Sequence, residues 1–202
     1  MSTTQNKFIP QLRFPEFRDD WKKWRLGNIA KFSKGKNLSK NDIVLNGSNE
    51  CIRYGELYTR YTETIDKVYS KTNLKIDESI VSEANDIIIP ASGETQLDIA
   101  TASCVLRKGI ILGGDLNIVK TNNNGVFLSY YLNNKKKLNI AKLSQGSSVI
   151  HLYSKQLSLL KLNLPKLNEQ QKIASFLTDV DTKITQLTKK KSLLEKYKKG
   201  IM

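Results

Sequence analysis

From Ile173 onward an apolar residue returns at alternating steps of four and three: Ile173, Leu177, Val180, Ile184 and Leu187. Lys191, Leu194, Lys198 and Ile201 continue the spacing to the end of the chain. This is a heptad seam, and it predicts one long amphipathic helix. Pro165 and Asn168 punctuate its start. A single helix cannot bury its own seam, so it needs a second helix, from this chain or another. Lysine at Lys191 and Lys198 leaves two readings. Either the lysines sit at the rim of a helix pair, where their stems pack and their ammonium groups reach water, or the seam ends near Leu187.

The 202 residues have room for one good-sized core in addition to that helix. Lys and Arg number 33 against 19 acids, a formal charge of +14, which points to a polyanionic partner, nucleic acid before an anionic membrane surface. The charge is not confined to the tail. Residues 166–202 hold nine Lys and four acids (+5), and the first 165 residues hold 24 basic and 15 acidic residues (+9). No apolar run approaches the roughly 18 residues needed to cross a bilayer, and the first residues contain no apolar secretory core. A cytoplasmic protein is expected. Cys51 and Cys104 match no metal-ligand spacing and read as two small buried hydrophobes.

Residues 1–9 read as a flexible lead-in. Phe14, Phe17, Trp21 and Trp24 follow, at a density that pins a segment onto a core. KFSKGKNLSKNDI, from Lys31, reads as a basic loop. Short strands are predicted in Ile52–Tyr61 and at Val68–Tyr69. A buried strand is predicted at Ile87–Ile89, ended by Pro90 and followed by the loop Ala91–Thr95. Further strands are predicted in 97–106 and 109–119, the second interrupted by Gly113 and Gly114. Thr121–Gly125 reads as a plain turn, 126–143 as one or two helices, and Gln145–Ser148 as a polar loop. Ser154 is positioned to cap a short helix, and Lys161–Leu164 returns as a strand. Strands alternate irregularly with short helices, so the fold class is α+β, with a mixed-sheet domain over 1–164 and one long coiled-coil-forming helix over 165–202.

Catalytic chemistry is not spelled out. A single histidine excludes a histidine-rich metal site, and no nucleotide-binding glycine loop or nucleophile elbow occurs. Asp86 with Glu94 is the nearest pair for a metal-dependent nuclease, but no lysine follows Glu94. Asp181–Thr182–Lys183 sits on the predicted long helix and reads as surface charge. The chain reads as a binder.

Residues at both ends carry a resemblance. PQLRFPEF with Trp21 and Leu26–Gly27 opens the chain, and Leu164–Pro165, Glu169–Ala174, Phe176–Leu177, Asp181 and the lysine-rich run to Gly200 close it. Between them stand YGELY (54–58), NDIIIP with ASGET (85–95), GGD (113–115) and QGSS with His151 and Leu152. The pattern resembles one half of the specificity subunit of type I restriction–modification enzymes: one target recognition domain and one conserved helix. The resemblance implies that a full subunit carries two such units in tandem, with antiparallel helices that hold two DNA-reading domains apart and set the unread gap of a bipartite target. It implies no catalysis and no cofactor in this chain. S-adenosylmethionine, ATP and Mg2+ would be held by partner subunits: an adenine methyltransferase (modification) subunit, and a restriction subunit. One domain with one helix departs from the tandem pattern, and the end at Gly200–Met202 has the look of a truncation. Either a half-length subunit or a fragment is expected, and a half-length one would form a homodimer through Ile173, Leu177, Val180, Ile184, Leu187 and Leu194.

For double-stranded DNA, backbone charge supplies affinity and loops supply sequence. Lys34, Lys36, Lys40 and Arg60 are the candidates for phosphate contact. Asn37, Ser92, Thr95, Gln145, Ser147, Ser148 and His151 are the candidates for base edges, as polar groups on loops. Beside that stand plainer readings: a soluble basic loop, an ordinary turn at Ser92–Gly93 and a histidine satisfied by its neighbours. A second function class is an assembly protein whose helix docks the methyltransferase with little sequence reading of its own.

Overall fold

A computed structural model describes residues 10–201, and the predicted lead-in 1–9 lies outside them. The isoleucine run of β6 (Asp86–Pro90) organises the domain. Side chains alternate across a strand. Ile87 and Ile89 therefore enter one core, with Trp21, Leu26, Val119, Phe127 and Leu157. Ile88 enters a second, with Ile52, Leu57, Leu112 and Ile118. A strand buried on both faces needs apolar residues at every position, which is why three isoleucines stand in a row.

β6 is central in a five-stranded sheet. Its neighbours are β10 (Leu116–Thr121) and β8 (Ser103–Val105), both antiparallel to it. Outside these lie β2 (Ala30–Lys34), antiparallel to β10, and β4 (Thr64–Ile65), parallel to β8. A smaller sheet places β3 (Asn49–Ile52) between β5 (Ser70–Thr72) and β9 (Ile111–Leu112). Gly113 N donates to Ile52 O and Lys36 N to Leu112 O, which ties this sheet to the segment after β2. Two ribbons complete the set: β1 (Lys22–Arg25) with β12 (Lys161–Leu164), and β7 (Ser92–Gly93) with β11 (Ile150–His151). The mixed sheets and the single long helix bear out the α+β reading.

The helices are α1 (Leu26–Ile29), α2 (Gln96–Ile99), α3 (Gly125–Tyr131), α4 (Lys137–Leu143), α5 (Ser154–Ser158) and α6 (Leu167–Ile201). A π-helical turn, Leu132–Lys136, joins α3 to α4. The wider turn turns Asn133 toward β8, where its amide bonds both N and O of Ala102.

Several local expectations are corrected. Of Ile52–Tyr61 only Ile52 is strand, as the end of β3 (Asn49–Ile52); Tyr54–Glu56 is a tight 3-10 turn, because the Glu56 carboxylate accepts from Arg53 N and closes it. Residues 97–106 begin as α2, because Thr95 Oγ1 accepts from Asp98 N and caps a helix turn before β8 starts. Asn124 caps α3 through Phe127 N, so the predicted turn 121–125 is a strand end and a helix cap. Ser154 does not cap α5. Its hydroxyl donates to Asn117, and Tyr153 occupies the cap position. Trp24 is 42% exposed on β1 rather than pinned to a core. Asn168 lies inside the first turn of α6, whose first amides bond Lys166 O.

At about 1.5 Å per residue α6 is roughly 50 Å long, and its beginning is clamped. Arg13 Nε and Nη2 each donate to the Glu169 carboxylate at 2.7 Å, and Trp21 Nε1 adds a third bond at 3.1 Å. Gln170, 1% exposed, accepts from Asn124 N and donates to Asn123 Oδ1 and Pro165 O. Further along, Tyr130 on α3 donates to Asp181, and burial first, then that carboxylate, pushes the phenol above its usual range. Ala174 is buried, Ile173 packs on the main core, and from Asp179 onward every described residue is exposed.

Candidate nucleic-acid interface

The register of the five-stranded sheet decides where the loops emerge. Lys34 at the end of β2 pairs with Asn117 near the start of β10, and Leu116 pairs with Pro90 at the end of β6. The starts of β8 and β4 lie toward the same end, since Ile88 pairs with Ser103 and Thr64 with Cys104. The loops after β2 and β6 and the turn before β4 therefore share one end of the sheet. Every candidate DNA-contacting residue is on one of these segments or on the loop docked against them. The clamp of α6, on Asn123, Asn124 and Pro165, lies at the opposite end, beyond Thr121.

After β2 the chain passes so close to the Gly113–Gly114 turn that a Cβ at Gly35 would lie 1.9 Å from Gly113 O. Only glycine permits that approach. It opens a cleft of about 850 Å³ in which Asn37, Lys40, Arg53 and Tyr54 face Gly114 and Asp115. Asn37 adopts a left-handed backbone (φ 43°), and Lys40 begins a short turn closed by Ser39 and Asp42. Two Ser39 bonds, side chain first and backbone second, hold the Asp42 carboxyl below its usual range.

The predicted polar loop is a small hairpin. Gln145 and His151 exchange backbone bonds of 2.9 and 2.7 Å, and Gln145, Gly146, Ser147, Ser148 and Val149 are exposed between them. Gly146 has φ +121°, and a Cβ there would lie 2.1 Å from Val149 O, so the loop shape belongs to glycine. The hairpin is docked by Leu152 N to Ala91 O and by the buried Asn117, whose amide donates to Leu152 O. His151 stacks on Tyr153 with centroids 6.0 Å apart, and Lys34 Nζ stands 5.8 Å from the Tyr153 ring.

The structure thus brings together Lys34, Gln145, Ser147, Ser148 and His151 at one rim, with Lys36, Asn37 and Lys40 on the neighbouring loop. Ser92 lies opposite His151 in the ribbon but is buried, so it supports the histidine's strand and offers little surface. Thr95 is exposed, with its hydroxyl engaged by Asp98. Arg60 is exposed on the turn before β4, 3.8 Å from Glu56. Tyr58 and Tyr61 are half-buried, and Tyr61 packs against the second core. Burial raises the Tyr58 phenol first, and the charges of Glu94 and Asp98 within electrostatic reach raise it further. The end is therefore mixed in sign, with carboxylates interleaved among the cations, as suits selective contact better than blanket attraction.

Sequence reasoning missed three members of this end. Tyr153 shares a face with His151 by strand alternation, a signal that was present two residues on. Arg53 and Asn117 carried none, because only the packing of the two sheets brings them to the cleft and the hairpin. Cys51 and Cys104 are buried thiols pushed up to about 12 by burial, as expected of inert side chains. Among the described residues no group of three or more His, Cys, Asp or Glu is placed to hold a metal. No described helix is long and apolar enough to cross a membrane.

Residues 18–196 match the family model described as type I restriction modification DNA specificity domain. The chain is 30% identical over 193 residues to the type I restriction enzyme MjaVIII specificity subunit of Methanocaldococcus jannaschii, covering 95% of this chain and 42% of the relative. It is 27% identical over 182 residues to the EcoR124I/EcoR124II specificity subunit of Escherichia coli, covering 88% of this chain and 44% of the relative. In fold it is similar to the type I restriction–modification S subunit from M. genitalium, with TM-score 0.65, 19% identity, and coverage of 90% of this chain and 44% of that one. The chain spans under half the length of these relatives, which are specificity subunits. On the family match across the greater part of its length, the chain belongs to the type I restriction modification DNA specificity domain family.

Proposed function

We propose that the chain is the DNA-reading half of a type I specificity unit. Residues 1–164 recognise one half of a bipartite double-stranded target, and 165–202 act as spacer and pairing helix. The observation that carries this reading is the polarity of the fold. The candidate base-reading and phosphate-contacting residues cluster at one end of the five-stranded sheet, and α6 is clamped at the other. Beyond the clamp, Val180 (37%), Ile184 (55%), Leu187 (53%) and Leu194 (57%) are exposed along one seam, as a helix awaiting a partner requires. Ile173 and Leu177 are partly covered by the domain itself, so pairing begins near Val180. With a second copy, antiparallel pairing would make a two-fold unit that reads a palindromic split site. The unit would direct an adenine methyltransferase, with a restriction subunit joining where the system cleaves. S-adenosylmethionine, ATP and Mg2+ would be bound by those partners, in the cytoplasm.

The test is selection of bound sequences from random duplexes by the purified chain with its modification subunit, together with sedimentation of the chain alone. A split motif and a dimer abolished by Ile184→Asp are expected. A monomer at micromolar concentration that Ile184→Asp leaves unchanged overturns the pairing. Enrichment of no motif overturns the reading role and leaves the assembly reading, which the same exposed seam favours.

A further inference from the structure

The β1–β12 ribbon carries a second basic surface, distinct from the loop end. It borders a groove of about 680 Å³ lined by Lys23, Trp24, Arg25, Asn28, Lys136 and Lys161 among others, with no carboxylate in the lining. Arg25 and Lys161 are register partners across the ribbon. Like charges directly opposite on paired strands destabilise the pair, here without relief. Among the described residues none of the four cations has an acid partner within salt-bridge distance. Lys136 leans over Tyr131 at 5.8 Å, and burial holds its ammonium below its usual range, a strain that a neighbouring anion relieves. Trp24, 42% exposed, also lines the groove, from the ribbon face opposite Lys23 and Arg25.

We propose that this groove binds the phosphate backbone of DNA outside the half-site read by the loops. The composition selects this occupant. Three of the four cations are lysines, which protein–protein interfaces deplete, and four cations with no acid in the lining suit a phosphate backbone. The position suits it as well. Asn28 lies two residues before β2, whose five residues reach the loop end after about 15 Å, or four to five base pairs. A duplex lying along this edge strand meets the loops with its target bases and the groove with flanking phosphates. The proposal rests on the DNA-binding reading above, and its effect is on affinity rather than on sequence.

The test compares the intact chain with K23Q/K161Q and R25Q by fluorescence anisotropy across a salt series, on a target duplex and a scrambled one. Each phosphate contact removed lowers the slope of log K against log salt by about 0.9, so the double variant loses nearly two, with the target-to-scrambled ratio unchanged. R25K keeps the slope, and circular dichroism reports the fold of each variant. Variants that are folded and keep the wild-type slope overturn the proposal. So does loss of modification-subunit binding with the slope intact, which makes the groove a protein dock. A wild-type chain without salt-dependent DNA binding overturns the proposed function first.

Discussion

Substituting Gln170 with alanine tests whether the long helix is held by its buried polar clamp. The side chain is 1% exposed and makes three bonds, to Asn124 N at 3.0 Å, Asn123 Oδ1 at 2.8 Å and Pro165 O at 3.0 Å. Alanine leaves an amide N–H and a proline carbonyl without partners in a packed joint. Each lost neutral bond costs about 1 kcal/mol net, and a donor or acceptor left buried costs about 1–3 kcal/mol. The sum is about 3 kcal/mol, roughly a 150-fold change in the folding constant. In urea, where slopes run about 1–3 kcal/mol per molar, the midpoint falls by about 1–3 M. Gln171, the exposed neighbour, is the control, and its alanine variant changes stability by less than about 0.5 kcal/mol. Glu169→Ala takes the carboxylate from Arg13, which keeps only its bond to Asp19 O, and costs about 3–5 kcal/mol, as breaking a buried pair does. Hydrogen exchange across 167–181 supplies a local readout: amides protected in the wild type exchange faster in Gln170→Ala. If Gln170→Ala behaves like Gln171→Ala in both assays, the amide network does not hold the helix and the reasoning fails.

Gly146→Ala places a Cβ against Val149 O in a left-handed backbone, so the 145–151 hairpin reshapes while both cores stay intact. Target affinity is expected to fall at least tenfold with a melting temperature within a few degrees of wild type, and unchanged affinity would remove the hairpin from the interface. Stability is expected to fall as pH rises above 9. Cys51 and Cys104 ionise near 9 when unfolded but only near 12 when folded, so the stability they contribute is full below 9 and is lost up to about 12. Each thiol adds a slope of up to about 1.4 kcal/mol per pH unit in that window. Urea midpoints of the Cys51→Ala/Cys104→Ala variant, with a shallower alkaline decline, check it.

The Ile87–Ile89 strand was legible because three β-branched residues in a row before a proline have few other homes. Residues 97–106 misled because their apolar content outweighed the Thr95-x-x-Asp98 capping pattern, a polar signal that fixes the first turn of α2. Ile52–Tyr61 misled for a related reason: its aromatics favour strands, and one carboxylate, Glu56, closes a turn instead. The candidate site was half legible. Loops rich in Lys, Ser, Gln and Gly announced themselves, but Ser92 lies buried under their ribbon, and Arg53 and Asn117 join them only through packing.

The sequence by itself determined the long helix, the basic balance, the buried strand at Ile87–Ile89 and the family pattern at both ends. These are properties of composition and spacing along the chain, where neighbours in sequence are neighbours in space. Tertiary structure decided which residues of that helix remain free. Ile173 belongs to the heptad series as fully as Ile184 does, yet one packs on the domain core and the other faces solvent. The difference comes from Arg13, Trp21, Asn123 and Asn124, far away in sequence, which close around Glu169 and Gln170. Buried polar groups must find partners wherever the chain brings them, and no periodicity records where that is.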